Sequence, residues 1–461
     1  MKRLVAIACL GLAAAGLCAR LSSAAFTAST SIASSPVTVD KLANYFSVTP
    51  LNGTVASGGV DNLALDFGTV ASARTFTSVF RVTNVSGASR TAVLTVSGIP
   101  TQISAVAFSG GGTSATLAAG ASATVNVTTS STVAGRGSGT LRLGLSGLGW
   151  MYRDYSVKID EAPEAPTAPA VAQKPGGRLD LSWTASTTTT NLAGYDVYRS
   201  NGGGAYTKLN PTPLTGTTYS DTATVDGTTY TYKLTAVSSG SPLLTSVDSP
   251  TVTATADATP PGAPTALSLA NGGGAGNAYI NAGNASSISV SVSLAANSLT
   301  SDTVKLTVSN GGNSVTTTHA GANGAGTITI SGVNVAGLGD GTLTISASST
   351  DLAGNVGNAT SITVTKDSAA PGAPSASYTD NNNANADVVF GSAEANASIG
   401  VTKSSGGSYS TTANGSGAYS VNVAATPGKP NSPVALTYTV TATDAAGNTS
   451  AATTLNVNDT K

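Results

Sequence analysis

The chain has 461 residues, a formal net charge of −1 and a charged fraction of only 9%. This length predicts three or four domains of about 100–150 residues each. The composition, which lacks any long basic stretch, excludes the usual kind of nucleic-acid-binding surface. Threonine and valine favour half-buried strands, and the 53 glycines supply turns, so the sequence predicts an all-β protein.

The first 25 residues have the pattern of a secretory signal peptide. Lys2 and Arg3 form a charged end, residues 4–17 are apolar, and residues 23–25 (Ser-Ala-Ala) are small enough for cleavage. An uncleaved membrane anchor is the alternative, but the apolar run is shorter than the ~20 residues that cross a bilayer. The sequence therefore predicts a secreted protein, located outside the cell or at its surface.

Both cysteines, Cys9 and Cys18, lie within this predicted signal peptide. Lipidation at Cys18 is a further alternative, which Leu17 disfavours because a lipoprotein cleavage box needs a small residue there. After cleavage the mature chain would have no disulfide, so hydrophobic cores or metal ions must stabilise it. No second long apolar segment follows, which predicts no membrane span in the mature chain.

Three proline-rich seams divide the rest of the chain, at residues 161–169, 258–264 and 368–374. Proline removes a backbone donor and favours extended geometry in the preceding residue, so such segments connect domains stiffly. Four blocks result, each of a length typical of one β-sandwich. Their predicted boundaries are 26–160, 161–256, 257–366 and 367–461.

The first block alternates apolar and polar residues along several short runs. LDFGTV (65–70) is followed by Phe80, Val82 and Asn84 in a second run. An FG-x-V strand that precedes an F-x-V-x-N strand resembles ASH-type immunoglobulin-like domains. The resemblance covers roughly residues 55–145 and implies a β-sandwich there.

The second block has two longer strand patterns. LDLSW (179–183) places alternate apolar residues on one strand face, and DGTTYTYKLTAV (226–237) does the same over a greater length. These patterns resemble a fibronectin type III domain over nearly all of residues 165–256. The resemblance implies that Trp183 is the core tryptophan and that Tyr230 is the corner tyrosine, both of which are structural roles.

Blocks three and four share a motif, because TDLAGN at 350–355 recurs as TDAAGN at 443–448, 93 residues later. The apolar residues before and after each copy also match, which predicts two copies of one module with the motif in the last hairpin turn. The Gly and Asn of the turn are predicted to adopt left-handed backbone geometry. Both blocks resemble the bacterial immunoglobulin-like repeats of large surface adhesins and biofilm proteins, the Bap-like adhesins.

Residues suited to catalysis are scarce. His319, the one histidine, lies between an alternating strand and a loop rich in Gly and Asn, so an exposed structural histidine is favoured over a general base. Glu161 and Glu164 fall in a seam, and most aspartates stand singly at turns or seams. The sequence predicts a protein that is not an enzyme.

The aspartates at the block ends are the residues whose chemistry suits metal binding. Asp257 and Asp367 begin two seams, while Asp351 and Asp444 belong to the repeated motif. In the adhesin repeats that these blocks resemble, such aspartates bind Ca²⁺ between modules, so the resemblance implies a calcium site with Asp351 and Asp367 as its best cluster. The alternative is a turn in which the aspartate accepts from later N–H groups of the motif. The run DNNNANAD (380–387) fits a metal loop only partly and is predicted to connect two strands.

The first function hypothesis is structural and adhesive. Rigid blocks would serve as spacers and contact surfaces outside the cell, in an extended monomer whose partner is a surface protein, a matrix protein or a glycan. The alternative is a carbohydrate-binding accessory of secreted polysaccharide hydrolases, which fibronectin-type modules often accompany. Sugar binding needs exposed coplanar rings, and Trp150 with Tyr152 is the candidate pair. Joint exposure of the two rings would favour the accessory role, and closure of the first sandwich by them would oppose it.

Overall fold

The computed structural model describes residues 40–241, 243–381, 386–425 and 433–459. Strands make up 52% of the structure and helix 2%, so the predicted all-β class is confirmed. The helical residues form the short 3₁₀ turns Leu42–Asn44, Pro175–Gly177 and Ala275–Asn277.

Two predictions fall on residues outside this description. The predicted signal peptide lies wholly outside it, and so do residues 382–385 of the DNNNANAD run. Within the described ranges, no helix is long and apolar enough to cross a membrane.

The chain forms two compact units. The first consists of the described residues up to Ala172 with Leu179–Thr224 and Thr228–Ala256, and the second of Gln173–Arg178, Val225–Gly227 and the described residues from Asp257 on. Each unit contains two pairs of mainly antiparallel sheets, and each pair encloses its own hydrophobic core. This is the predicted architecture of tandem β-sandwiches. The exact residue at which each sandwich begins stays a prediction.

The first sandwich packs a four-stranded sheet, in the order β1-β4-β8-β6, against a six-stranded sheet, in the order β2-β3-β10-β9-β5-β7. Its core contains the fully buried Phe46, Phe80, Leu141 and Leu143, which alternate with polar residues along their strands. The strands are β1 (Phe46–Pro50), β2 (Ala56–Ser57), β3 (Ala64–Val70), β4 (Thr75–Asn84), β5 (Arg90–Thr95), β6 (Ile103–Phe108), β7 (Ser114–Leu117), β8 (Ser122–Thr129), β9 (Gly135–Leu145) and β10 (Tyr152–Glu161).

The second sandwich has sheets in the orders β11-β12-β15 and β14-β13-β16-β17. Trp183 is buried in its core, with its ring edge-on to Tyr195 at 5.7 Å between centroids. Tyr230 is buried as well, and Arg199 stacks on its ring at 4.7 Å. The strands are β11 (Thr167–Gln173), β12 (Leu179–Thr184), β13 (Leu192–Asn201), β14 (Thr207–Lys208), β15 (Thr218–Asp221), β16 (Thr229–Ser238) and β17 (Val252–Thr255).

The third sandwich has sheets in the orders β18-β20-β23 and β19-β25-β24-β21-β22. Leu343, Ile345 and Ala347 of β24 face the core, as their alternation predicts. The strands are β18 (Ala266–Leu269), β19 (Tyr279–Ile280), β20 (Ile288–Ser293), β21 (Thr303–Ser309), β22 (Ser314–Ala320), β23 (Thr327–Val333), β24 (Gly341–Thr350) and β25 (Thr360–Lys366).

The fourth sandwich repeats this plan with sheets in the orders β26-β27-β30 and β29-β28-β31-β32. Leu436, Tyr438 and Val440 of β31 are buried at the positions that match the core residues of β24. The hairpins β24–β25 and β31–β32 are therefore equivalent, and each encloses one copy of the repeated motif. The strands are β26 (Ser377–Thr379), β27 (Ala386–Ser392), β28 (Ser398–Lys403), β29 (Ser408–Thr412), β30 (Ala418–Ala424), β31 (Val434–Thr443) and β32 (Thr453–Asp459).

Candidate functional site: the joints at the repeated motif

The repeated motif forms a tight turn after β24 and again after β31. The Gly354 N–H donates to the Asp351 carbonyl at 3.2 Å, and the φ of Gly354 is +92°. Gly447 repeats this geometry with a φ of +90°. The predicted left-handed geometry is confirmed for the two glycines and is wrong for Asn355 and Asn448, so the asparagines have another role.

Each motif asparagine is bound by the aspartate four residues before it. The carboxylate of Asp351 accepts one hydrogen bond from the Asn355 backbone N–H and one from Asn355 Nδ2, both at 2.8 Å. Asp444 accepts the same two bonds from Asn448, also at 2.8 Å. A carboxylate that accepts from a nearby backbone N–H is the Asx-turn alternative, here extended to the side-chain amide.

The asparagine side chain then connects its own block to what precedes it. Asn448 Nδ2 also donates to the Asp367 carbonyl at 2.9 Å, and Asn448 Oδ1 accepts from the Ala282 N–H at 2.9 Å. Asp367 begins the seam before block four, whereas Ala282 belongs to block three. Asn448 is only 5% exposed, so these bonds form out of water. We call this Asp–Asn pair, with its seam carbonyl and its opposing N–H, the clasp.

The first motif copy forms the same clasp at the other end of block three. Asn355 Nδ2 donates to the Asp257 carbonyl at 2.9 Å, and Asn355 Oδ1 accepts from the Gly176 N–H at 2.7 Å. Gly176 belongs to the segment Gln173–Arg178 of the same compact unit. Four bonds with matching atoms therefore recur at two places in the second unit.

A second bond recurs beside each clasp. The Thr360 hydroxyl donates to the Pro264 carbonyl, and the Thr453 hydroxyl donates to the Pro374 carbonyl at 2.5 Å. Each threonine follows its motif aspartate by nine residues, and each proline closes its seam. The second and third seams are therefore hydrogen-bonded at both ends.

The loop of block three that contacts block four is itself held in shape. The Asn281 N–H donates to Asn284 Oδ1 at 2.8 Å, which closes the loop 281–284. Asn281 Nδ2 then donates to the Ala446 carbonyl, within the second motif copy, at 2.8 Å. Two side-chain-mediated bonds thus cross this joint, both donated by block three and accepted by block four.

In the first unit, backbone hydrogen bonds connect the segment after β8 to the segment before β13. The Ala134 N–H donates to the Thr190 carbonyl at 3.1 Å, and the Thr190 N–H donates to the Thr132 carbonyl at 3.0 Å. Asn191 Nδ2 adds a bond to the Ala134 carbonyl at 2.9 Å. The segment after β8 is therefore tied directly to the segment before β13, without an Asp–Asn pair.

The structure pairs the predicted aspartates differently from the sequence. Asp351 and Asp367 were expected to form one cluster, and this pairing is wrong. β24 and β25 are antiparallel with Gly341 opposite Lys366, so Asp367 lies at the start of β24 and Asp351 at its end, about 30 Å away. Asp351 instead shares Asn355 with Asp257, and Asp444 shares Asn448 with Asp367.

The electrostatic surroundings of the seam aspartates are mild. Burial raises the pKa of Asp257, and the negative charges of Asp351, Asp226 and Asp302 raise it further, while a bond from the Thr259 N–H opposes them. Within the described ranges, no group of three His, Cys, Asp or Glu side chains is arranged to hold a metal ion. The calcium site at Asp257, Asp351, Asp367 and Asp444 stays a prediction.

The asparagines are the residues that the sequence reasoning missed. Asn355 and Asn448 stand four residues after the motif aspartates in both copies. That spacing was a usable signal, because Asp and Asn side chains commonly satisfy nearby backbone groups. They were assigned to backbone geometry, a role that the glycines fill alone.

The other candidates occupy separate places. His319 is exposed on β22, with Nδ1 2.7 Å from the Ala320 carbonyl. Trp150 is 38% exposed, but Tyr152 is half-buried and its ring face is covered by Arg142 at 3.5 Å. Tyr152 and Trp150 therefore do not present two open ring faces together.

One buried acid was assigned no role by the sequence. Glu161 ends β10 and has no exposed surface. Its Oε1 accepts from the Thr129 hydroxyl at 3.3 Å, while its Oε2 has no hydrogen-bond partner among the described residues. Burial raises the pKa of Glu161 to about 8, assisted by the charge of Glu164 and opposed by the Thr129 bond and by Arg74.

Comparison with known proteins agrees with this modular architecture. Residues 370–459 match the family model described as Bacterial Ig domain. An amylopullulanase of Thermoanaerobacterium saccharolyticum is 36% identical over 97 residues, which are 20% of this chain and 7% of the enzyme. The chain therefore matches only a small part of that relative.

Two solved structures share the fold. An Fn3-like protein from Clostridium thermocellum is 33% identical, and the match covers 20% of this chain and 91% of that one, with a TM-score of 0.18. A tetra-tandem repeat from the extending region of a large adhesion protein is 19% identical over 90% of this chain and 98% of that one, with a TM-score of 0.23. Four tandem sandwiches, with a bacterial Ig match over the last of them, make the chain a multidomain protein of the fibronectin type III and bacterial Ig-like kind.

Proposed function

We propose that the chain is a non-enzymatic extracellular protein whose sandwiches act as an adhesive or structural spacer. The observation that carries this proposal is the clasp, which recurs with the same four bonds at Asn355 and at Asn448. A chain of independent binding modules needs only flexible linkers. Buried side-chain bonds that recur within the second unit favour a role in which its modules keep a fixed register.

The energy of one joint is enough for that role. Two bonds join the loop 281–284 of block three to the second motif copy, one from Asn281 to Ala446 and one from Ala282 to Asn448. At about 0.5–1.5 kcal/mol each, they favour the closed joint by about 1–3 kcal/mol. The proline-rich seam lowers the entropy of the open state and adds to this preference.

The test uses the native host. Fractionation should find the chain in the medium or on the cell surface, and cells without the chain should be retained less on their substratum under flow. Complementation with wild type should restore retention, and the double variant Asn355→Ala, Asn448→Ala should restore it less. A cytoplasmic chain, or equal retention with and without it, would contradict the proposal.

The accessory role in polysaccharide degradation is the second candidate. It is favoured by the identity to part of an amylopullulanase, an enzyme whose name indicates action on starch-like glucans. The candidate aromatic pair supports it weakly, because Arg142 covers the ring of Tyr152. Binding of a labelled α-glucan to the full chain, lost on Trp150→Ala, is the result that this role requires.

Calcium at the joints is a separate proposal that rests on the four aspartates. It requires that a chelator lower the melting temperature of the second unit by several degrees, because the ion binds the folded state alone. In the clasp, Asp351 and Asp444 are bound by asparagine and no ion is required. If the clasp alone holds the joints, a chelator therefore leaves the melting temperature unchanged. Calorimetry in EDTA, repeated after Ca²⁺ is added back, distinguishes a calcium site from the clasp alone.

A further inference from the structure

A cavity of about 410 Å³ opens at one edge of the first sandwich. It lies where the loop after β1, the strand β3 and the start of β4 meet. Asn52 and Thr54 come from the loop, Phe67 from β3, Arg74 from the residue before β4, and Phe76 and Thr77 from the start of β4. Its volume is within the range of about 300–1,000 Å³ that small-molecule sites occupy.

A tilted pair of aromatic rings and a cation–π contact form one wall of the cavity. The rings of Phe67 and Phe76 lie 5.0 Å apart at 59°, and they come from the two different sheets of the sandwich. The Arg74 guanidinium lies over the Phe76 ring at 4.4 Å from the centroid. Cation–π contact holds the guanidinium over the face of the ring while its N–H donors remain available at the guanidinium edge.

Arg74 is one of three arginines of the first sandwich, with Arg81 and Arg90, that form no ion pair with the described acidic residues. Arg136, Arg142 and Arg153 of the same sandwich each pair with an aspartate at 2.7–2.9 Å. Among the described acidic residues none forms an ion pair with Arg74. The nearby Glu164 accepts instead from the Ala73 N–H at 2.6 Å.

The polar side of the cavity is held in place before any ligand arrives. The N–H groups of Leu51 and Asn52 both donate to the Val79 carbonyl, at 3.0 and 3.2 Å. Asn52 Oδ1 accepts from the Thr54 hydroxyl at 2.6 Å, which orients the amide and leaves Nδ2 as a donor. A cation, an amide donor and threonine hydroxyls therefore surround one aromatic pair.

We propose that this cavity binds a carboxylate-bearing sugar, such as a uronate residue of an extracellular polysaccharide. Arg74 would take the carboxylate in a bidentate pair, and Asn52 and Thr77 would bond the ring hydroxyls. An acidic peptide supplies the carboxylate without the hydroxyl-bearing ring. The proposal adds a ligand to the extracellular role, and the spacer role does not depend on it.

The test is titration calorimetry of the full chain with hexagalacturonate. Binding is expected, with maltohexaose giving none because it lacks the carboxylates. Arg74→Gln should weaken binding at least about tenfold, since it removes a charge-assisted pair. Arg81→Gln is the matched control, because Arg81 is an exposed arginine on the same strand β4 outside the cavity, and it should bind as wild type does.

Three results would overturn the proposal. The first is the absence of hexagalacturonate binding to the wild type at millimolar concentration. The second is equal binding by wild type and Arg74→Gln, with folding of both checked by thermal melting. The third is equal competition by hexaglutamate, which would show that charge alone, without a sugar ring, accounts for the affinity. None of these changes the result expected from retention of the host under flow.

Discussion

Glu161 is a carboxylic acid whose surroundings suit only its neutral form. It is fully buried at the end of β10, and no partner among the described residues reaches its Oε2. Burial raises the pKa to about 8 from an ordinary value of 4.5. The folded state therefore keeps a proton that the unfolded chain releases at lower pH.

This difference predicts a pH-dependent stability of the first unit. The contribution of the neutral acid is fully present below pH 4.5 and is lost as the pH rises towards about 8. In that window the free energy of unfolding should fall by up to about 1.4 kcal/mol per pH unit. Both tryptophans, Trp150 and Trp183, belong to the first unit, so denaturant titrations followed by tryptophan fluorescence report it alone.

The variant Glu161→Gln should flatten this pH dependence, because an amide cannot ionise. Glu394→Gln is the control, since Glu394 is exposed and belongs to the other unit, and it should follow the wild-type curve. Parallel curves for wild type and Glu161→Gln between pH 5 and 8 would show that Glu161 does not carry the effect.

The asparagines show why the sequence predicted part of the joint and missed the rest. The spacing of Asp351 and Asn355 is visible in the sequence, but the partners Asp257 and Gly176 lie 98 and 179 residues away along the chain. Only the fold brings a seam carbonyl and a loop N–H to one amide. The residue types predicted a turn, and the tertiary contacts determined its second role.

At the scale of single elements, the hairpin that encloses the motif was predictable. The alternation Leu343, Ile345, Ala347 faces the core, because a strand with one buried face has its register set by hydrophobic pattern. The short strand β19 was not predicted, since its two residues leave no periodic pattern. The expected pairing of Asp351 with Asp367 is wrong because the antiparallel direction of β24 and β25 places the two aspartates at opposite ends of β24.

The motif turn itself makes a prediction about glycine. Gly447 has a φ of +90°, and a Cβ there would come within 3.3 Å of Asn281 Nδ2 and of the Gly274 N. Gly447→Ala should therefore lower the free energy of unfolding of the second unit by about 1–3 kcal/mol. Denaturant unfolding followed by circular dichroism measures this loss of stability. It reports the unfolding of the second unit, which tryptophan fluorescence does not detect because both tryptophans belong to the first unit.

The matched control for Gly447→Ala is Gly415→Ala in the same sandwich. Gly415 does not have a left-handed φ, and a Cβ there would meet nothing within 4 Å. That substitution should leave stability within about 0.5 kcal/mol of wild type. If the two variants were equally stable, the geometry of the motif turn would not be a requirement of the fold.

For the molecule as a whole, the two units differ in the hydrogen bonds that join the sandwiches within each unit. The first unit joins its sandwiches through backbone bonds such as Ala134 to Thr190, together with single side-chain bonds such as Thr188 to Ser131, and the second uses Asp–Asn clasps. Most of a clasp belongs to a single module, because the module's own sequence supplies the Asp, the Asn and the seam carbonyl. The preceding segment supplies only a loop N–H. This suits repetition, and it explains why the sequence repeat extends to both the seam and the motif.

The clasp at Asn448 should decide how widely blocks three and four move relative to each other. Nitroxide labels at Thr316→Cys on β22 and Ser410→Cys on β29, both exposed edge-strand positions, report the distance between these blocks. Cys9 and Cys18 are replaced by serine so that only these two sites react. The wild-type background should give a narrow distance distribution in double electron–electron resonance.

Asn448→Ala should broaden that distribution. It removes the acceptor of the Ala282 N–H, a bond that crosses the joint, and the donor to the Asp367 carbonyl, so the closed joint loses about 0.5–1.5 kcal/mol. Asn355→Ala removes the same bonds at the other clasp and should leave this distance unchanged, because neither label reports on that joint. If Asn448→Ala kept the narrow distribution, the proline seam and the Thr453 bond would be sufficient to hold the blocks, and the clasp would contribute to folding alone.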